Sequence, residues 1–361
     1  MIDFPASPTV GQAFVDPATG LRWVWDGTKW KASGLATPPL PVPMNDNRLI
    51  NGDMRIDQRN GGVSGTAVGY TIDRWNYQGA QPSKGGWQRL PSGALLPWFP
   101  YCLSFTSSSA YVSLATDFFQ FQQPIEADMV SDFAWGTASA QPVTLSFWAN
   151  SNLTGMFGGS VKNAAGTRSY PFSFSLPTAQ TWTKIAITIP GDTAGTWVMS
   201  GNAASLYLLF DLGTGSTYRG PANAWAGTTY NGATGAVSVV GTNGGTFSVT
   251  GVKLEIGSVA TSFNRQSLAK NMADCQRYYS VLAPRFDGYG AAGVSASVPI
   301  TYPTTMRAAP TITFPSSAYT NCSALSGTNI QTTGAVAYVT VTALGAFNWS
   351  PSGGMIMSAE L

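Results

Sequence analysis

Residues able to do chemistry are few in this chain. Its 361 residues include no histidine, 17 carboxylates and 19 lysines and arginines. Without imidazole there is no Ser-His-Asp or Cys-His nucleophile pair, and the commonest general base and metal ligand is missing. Acid-base work would then rest on carboxylates, whose densest group is Glu126, Asp128 and Asp132 in PIEADMVSDF. Glycoside hydrolysis needs two carboxyls flanking one bond, roughly 5 to 10 Å apart. Nothing in this spacing sets such a distance, and the stretch reads as a solvated loop. Oxygen ligands for a structural calcium ion are available at Asp53, Asp57 and Glu255, without an EF-hand loop pattern. Cys102, Cys275 and Cys322 are odd in number and widely spaced, which points to free buried thiols. GTNGGT and GTGSTYRG lack the lysine and the strand-to-helix context of a phosphate loop, and read as turns.

Sugar binding asks for something different: an aromatic ring laid against the apolar face of a sugar, with amides and carboxylates around it. The stretch DRWNYQGAQPSKGGWQRLPSGALLPWFPY offers Trp75, Tyr77, Trp87 and Trp98 for that purpose. Trp75 follows an Asp73-Arg74 pair and reads as core. Trp87, preceded by a lysine and two glycines, reads as the better surface platform.

The elements that must position these residues are strands. Hydrophobic residues make up 44% of the chain and charged residues only 10%, against roughly 25% charged in an average protein. Stability must therefore come from apolar and aromatic burial. Forty glycines and 23 prolines punctuate short runs of period-two alternation. In PVTLSFWAN, Val143, Leu145 and Phe147 alternate with Thr144, Ser146 and Trp148. WTKIAITIP, SLYLLFDLG, AVSVVG and TFSVTGVKLEIG repeat the pattern, and two sheets packed face to face follow from it. The expected fold is all-β, with a jelly-roll β-sandwich over residues 49–264.

Smaller pieces flank the sandwich. Residues 1–36 read as a β-hairpin turned at Asp26-Gly27, with Trp23, Trp25 and Trp30 as an aromatic face. So small a piece has little with which to cover three indoles, so they are expected either on a neighbouring protein or against the hairpin's own back. The proline run over 37–48 reads as a stiff linker. A polar, glycine-free segment over 265–284 carries Leu268, Met272, Cys275, Tyr279 and Leu282 at alternating spacings of four and three. That is a helical seam, capped by Ser267 and stopped by Pro284. It suits an oligomer contact on a symmetry axis, and it suits equally a face packed on the chain's own sandwich. Residues 285–361 read as a C-terminal β domain, with strands at Val336–Val341 and Met355–Met357.

The fragments NRLINGDMRIDQRNGG, YTIDRW, FQQPIE, VTLSFWA, VSVVGTNGGTFSVTGVKLEIGSVATSF and CQRYY, in this order over residues 47–282, resemble a module of tailed-bacteriophage tail fibres and related virion proteins. MRAAPTITF resembles the C-terminal piece that follows it, and FPASPTVGQAF with WVWDGTKW resembles a short phage docking module. The resemblance implies a non-enzymatic jelly roll similar to carbohydrate-binding modules, carried on a homotrimeric fibre or spike of the virion. The partners expected are other virion proteins at the N-terminus and a host-surface glycan. A capsid head fibre or decoration protein, and a glycan-degrading tailspike, are the alternatives. A net charge of +2 without a basic stripe argues against nucleic acid, and no run of about 18 apolar residues argues for membrane insertion. The N-terminus MIDFPASPTV has no export signal, which fits assembly in a host cytoplasm.

Overall fold

The computed structural model describes residues 4–16, 21–35, 47–93, 96, 98–315, 317–351 and 353–361. It divides into two compact units, Met1–Asp46 and Asn47–Leu361.

The first unit is a three-stranded antiparallel sheet, one strand more than the expected hairpin. β1 (Ala13–Val15) pairs with β2 (Leu21–Trp25), which pairs with β3 (Trp30–Leu35). Asp26 makes the β2–β3 turn: its carboxylate accepts from the Thr28 and Lys29 amides, both at 2.8 Å, and pairs with Lys31 at 2.9 Å. The Lys31 ammonium and these donors hold the Asp26 carboxyl well below its usual range. Trp23, Trp25 and Trp30 are half-buried, and much of their cover is mutual. Phe4 stacks on Trp30 at 5.2 Å and meets Trp23 edge-on at 5.3 Å, and Trp25 lies 5.7 Å from Trp30. The Trp23 Nε1 is buried without a hydrogen-bond partner. Residues 37–46 of the expected linker lie outside the described residues. Asn47 and Arg48 belong instead to the sandwich, where Asn47 donates to the Val252 carbonyl at 2.9 Å and accepts from the Leu254 amide at 3.0 Å.

The second unit opens with the jelly roll. Its strands are β4 (Gly69–Ile72), β5 (Trp75–Gly79), β6 (Gly85–Pro91), β7 (Tyr101–Ser107), β8 (Phe119–Glu126), β9 (Val143–Ser151), β10 (Gly155–Asn163), β11 (Ser169–Leu176), β12 (Thr183–Ile189), β13 (Ala204–Asp211), the short β14 (Arg219–Gly220) and β15 (Gly232–Ala233), and β16 (Thr246–Ile256). One sheet has six strands in the order β11-β10-β13-β8-β5-β4; the other has five, β12-β9-β16-β7-β6. Successive side chains of a strand point to opposite faces, and the phenylalanines of these strands take the inner one. Phe147 and Phe247 of the five-stranded sheet meet Phe174, Phe157 and Phe210 of the six-stranded sheet at ring distances of 5.0 to 6.4 Å. AVSVVG forms no strand. It is an irregular segment whose Val239 and Val240 plug the same core.

α1 (Leu268–Gln276) is shorter than the expected helix. Ser267 caps it by accepting from the Lys270 amide at 3.2 Å, and the chain then turns straight into a strand, because Tyr278-Tyr279-Ser280-Val281 suits a pleated surface better than a helix. That strand, β17 (Tyr279–Leu282), begins the C-terminal domain. β18 (Phe286–Gly290), β19 (Ser295–Thr301), β20 (Thr311–Thr313), β21 (Ser317–Thr320), β22 (Ser326–Thr328), β23 (Gly334–Thr340), β24 (Gly345–Pro351) and β25 (Met355–Ser358) follow. They form three three-stranded sheets, β17-β25-β20, β18-β24-β21 and β19-β23-β22, around a core with Trp349, Val339 and Met357 fully buried. Among the described residues no helix is long and apolar enough to cross a membrane.

The C-terminal domain is clasped to the jelly roll by buried charge. Glu360 pairs with both Arg59 and Arg74. Arg59 lies over the Tyr279 ring at 3.6 Å, and Arg74 over Tyr278 at 3.5 Å while donating to the Pro124 carbonyl at 2.7 Å. Arg74 is only 1% exposed, so removing its counter-charge leaves a cation with no aqueous alternative. The variant Glu360→Gln is therefore expected to destabilise this unit by about 3 kcal/mol, read as a drop in its denaturant midpoint.

Candidate functional site

The outer face of the six-stranded sheet carries the residues that the core rejects. On β8, Phe119 and Phe121 point inward while Gln120 and Gln122 point outward; on β5, Trp75 and Tyr77 are inside and Asn76 and Gln78 outside. Register places Gln78 opposite Gln120 and Asn76 opposite Gln122. Across the sheet, Lys162 of β10 lies opposite Tyr207 of β13. Together Gln78, Gln120, Gln122, Lys162 and Tyr207 floor an open groove of about 460 Å³. Its walls are Phe118, the turn Ala164–Gly166, and Tyr218, Thr229 and Asn231 of the long loop that follows β13. Phe118 and Tyr218 meet edge to face at 6.0 Å.

Polar groups on this floor are ordered but not used up. Gln78 Nε2 donates to Asn76 Oδ1 at 2.6 Å, and Gln120 Nε2 to Gln122 Oε1 at 3.0 Å. Gln120 is 2% exposed, and its Oε1 has no hydrogen-bond partner. A buried amide oxygen in that state costs about 1 to 3 kcal/mol until a donor arrives. Lys162 Nζ donates to Asn231 Oδ1 at 3.0 Å, and burial lowers its pKa to about 8. Lys162 is the one cation among the groove residues, and none of them is a carboxylate. Amide, phenol and ammonium groups beside aromatic rings can hold a polyhydroxylated ligand; nothing in the set pairs a nucleophile with a base.

The loop wall is fixed from beneath by Asp211. This carboxylate is fully buried, accepts from the Gly213 amide at 2.8 Å and the Thr214 hydroxyl at 2.9 Å, and pairs with Arg219 at 3.4 Å. Arg219 in turn donates to the Ala236 carbonyl at 2.8 Å. Gly232 sits directly on the carboxylate, where a Cβ would come within 2.3 Å of Oδ2, so only glycine lets the loop close.

The expected ring platforms are mostly elsewhere. Trp75 and Tyr77 are core residues, 0% and 2% exposed, with Trp75 stacked on Phe210 at 6.1 Å. Trp87, expected at the surface, is 6% exposed. Gly65 lies on the indole, where a Cβ would come within 2.4 Å of the ring, and the Trp87 Nε1 donates to the Ala67 carbonyl at 2.9 Å. None of these three presents an open ring. Trp98 does: it is 67% exposed and lines a second, smaller hollow of about 240 Å³ on the five-stranded sheet with Trp148, Lys184 and Phe263. The groove residues Tyr207, Tyr218, Phe118 and Gln120 were not anticipated. A legible signal existed in FQFQ, where glutamines alternate with rings that must go inside.

The helical seam also faces its own chain. Cys275 is fully buried and Tyr279, in β17 and not in a helix, lies under Arg59. Met272 is half-buried and Leu268 exposed. Asn271 reaches Asp53 at 3.2 Å and Arg277 reaches Glu126 at 3.1 Å, so the packed side of α1 belongs to the jelly roll. The possible calcium ligands are likewise engaged: Asp53 with Arg55 at 2.5 Å, Asp57 with the Asn60 and Gly62 amides at 2.9 and 2.6 Å, and Glu255 with Lys253 at 2.9 Å. Among the described residues no three acidic or cysteine side chains converge as a metal site. Glu126, Asp128 and Asp132 go to separate partners, Arg277, the Gly201 amide and Arg48. All three cysteines are buried and free, and burial raises the Cys102 thiol to about 12.

No family model matches the chain, and no curated protein does. Solved structures similar to it include the enzymatically active domain of tailspike protein 4 of bacteriophage CBA120, at 11% identity and a TM-score of 0.33 over 58% of this chain and 21% of that one. The chain thus spans about a fifth of that tailspike's length. Others are TmCBM61 in complex with β-1,4-galactotriose, at 10% identity and 0.30 over 59% of this chain and 100% of that one, and the family 11 carbohydrate-binding module of Lic26A-Cel5E of Clostridium thermocellum, at 12% and 0.28 over 56% and 100%. TM-scores of this size do not define a family.

Burial raises the Asp211 pKa to about 6, outweighing Arg219 and the hydrogen bonds that lower it. A carboxyl with a raised folded-state pKa stabilises below its ordinary value of 3.8 and loses that contribution as pH rises to about 6. Unfolding free energy measured between pH 4 and 6 is expected to fall by on the order of 2 to 3 kcal/mol from this group, and the Asp211→Asn variant should lack that component of the slope.

Proposed function

We propose that the chain is a non-enzymatic bacteriophage virion fibre protein whose jelly roll binds host-surface glycan along the outer face of its six-stranded sheet. The observation that carries the glycan reading is the buried, unpartnered Gln120 Oε1 on the floor of an open groove walled by Phe118 and Tyr218. A sugar hydroxyl would supply the missing donor, and the rings would take its apolar face. The ordered resemblance to tail-fibre modules over residues 47–282 supports the virion setting. In this reading the first unit docks on the particle through the cluster of Phe4, Trp23, Trp25 and Trp30.

Glycan-array binding tests the groove. The intact chain should retain a defined set of oligosaccharides, and Gln120→Leu or Tyr207→Ala should weaken that binding roughly tenfold or more with unfolding midpoints near the parent's. Retention unchanged in both variants, or no retention at all, would sink the groove assignment; release of reducing ends would show a hydrolase instead.

A homotrimer is the assembly that the tail-fibre resemblance implies, and with the inner face of α1 occupied it must use other surfaces. Native mass measurement should give three times the 38.0 kDa chain mass. A single chain mass at micromolar concentration would remove the trimer from the proposal.

A further inference from the structure

We infer that the groove selects an acidic oligosaccharide, with the anionic substituent seated on Lys162. This rests on the glycan reading above and adds to it the charge of the ligand. The argument begins with what surrounds the ammonium. Lys162 is half-buried on the groove floor, and among the described residues its hydrogen-bond partner is the neutral Asn231 Oδ1. Among the described residues no carboxylate lines the groove. The charged groups on the elements packed around it are already engaged, Asp211 of β13 with Arg219, and Arg168 beside β11 with Asp192 at 2.6 Å. The other titratable groups facing it are the phenols of Tyr207 and Tyr218.

A cation taken out of water this far without a counter-ion is unfavourable, and the described residues offer none. An anion on the ligand supplies it. The same floor carries the unpartnered Gln120 Oε1, which needs a donor such as a hydroxyl. One ligand meets both demands when it bears hydroxyls and an acidic group together. A uronate, a sialate and a sugar phosphate share that chemistry.

The depressed pKa supports the assignment, since Lys162 gives up its proton from about pH 8 in the free protein. An anion binds the protonated form only, so its affinity should fall about tenfold per pH unit above that point.

The experiment uses the whole chain on matched sets of oligosaccharides, each neutral sugar printed beside its uronate, sialylated and phosphorylated forms. Acidic members should be held in preference. Lys162→Gln should lose them by roughly ten- to hundredfold, and Lys162→Arg should keep them and abolish the fall above pH 8. Retention of one acidic form identifies the source of the anion and upholds the inference. Equal retention of neutral and acidic members, untouched by Lys162→Gln, overturns the acidic selectivity while the glycan reading survives. Retention of no member overturns both. Because Lys162→Gln removes a poorly solvated charge, its unfolding midpoint should not drop, so a loss of binding reports on the ligand.

Discussion

Ring against ring between the two sheets is the contact on which this molecule depends. With a tenth of its residues charged, the chain has little else to hold it together. Phe147, Phe174, Phe210 and Phe247 form one continuous edge-and-face cluster, and each strand that contributes a ring must send its next residue the other way. The outer face is therefore a by-product of the inner one. Gln120 and Gln122 stand in the groove because Phe119 and Phe121 cannot, and Lys162 stands there because Val161 is inside. Slipping β8 by one residue would bury the amides and expose the rings, so the groove and the core share one register.

Several of the buried charges sit at joints. Glu360 with Arg59 and Arg74 joins the C-terminal domain to the jelly roll, Asp211 with Arg219 ties the loop wall to β13, and Arg168 with Asp192 pins the start of β11. Each is a hydrogen-bonded pair with further partners, the condition under which a buried ion pair is tolerated. Lys162 departs from that rule, having an amide where the others have an opposite charge. Departures of this kind are where function is to be sought.

Much of the architecture was legible in the residues. Alternation in PVTLSFWAN and SLYLLFDLG marked β9 and β13 because period two has one reading when turns bound it. Ser267 as a cap was legible for the same local reason. What failed depended on distance. Trp87 follows two glycines as an exposed loop residue would, yet Gly65, distant in sequence, covers its ring. The four-three spacing is helical only as far as Gln276, with Leu268 exposed and Tyr279 already in β17; of the two expected covers for its buried side, the chain's own sandwich is the one seen at Asn271 and Cys275. The groove was missed because its residues come from β5, β8, β10, β13 and a loop, and only sheet order brings them together.

That sheet order has a further cost in time. β16, the last strand of the jelly roll to be synthesised, is the middle strand of its sheet, between β9 and β7, and β13 is likewise inserted between β10 and β8. Until they arrive, two ribbons on each side wait with open edges and uncovered phenylalanines. Such a chain is expected to fold slowly and to be prone to sticking to its neighbours while it does so, so the yield of native protein would be governed less by how stable the finished protein is than by how well the half-built one is kept apart.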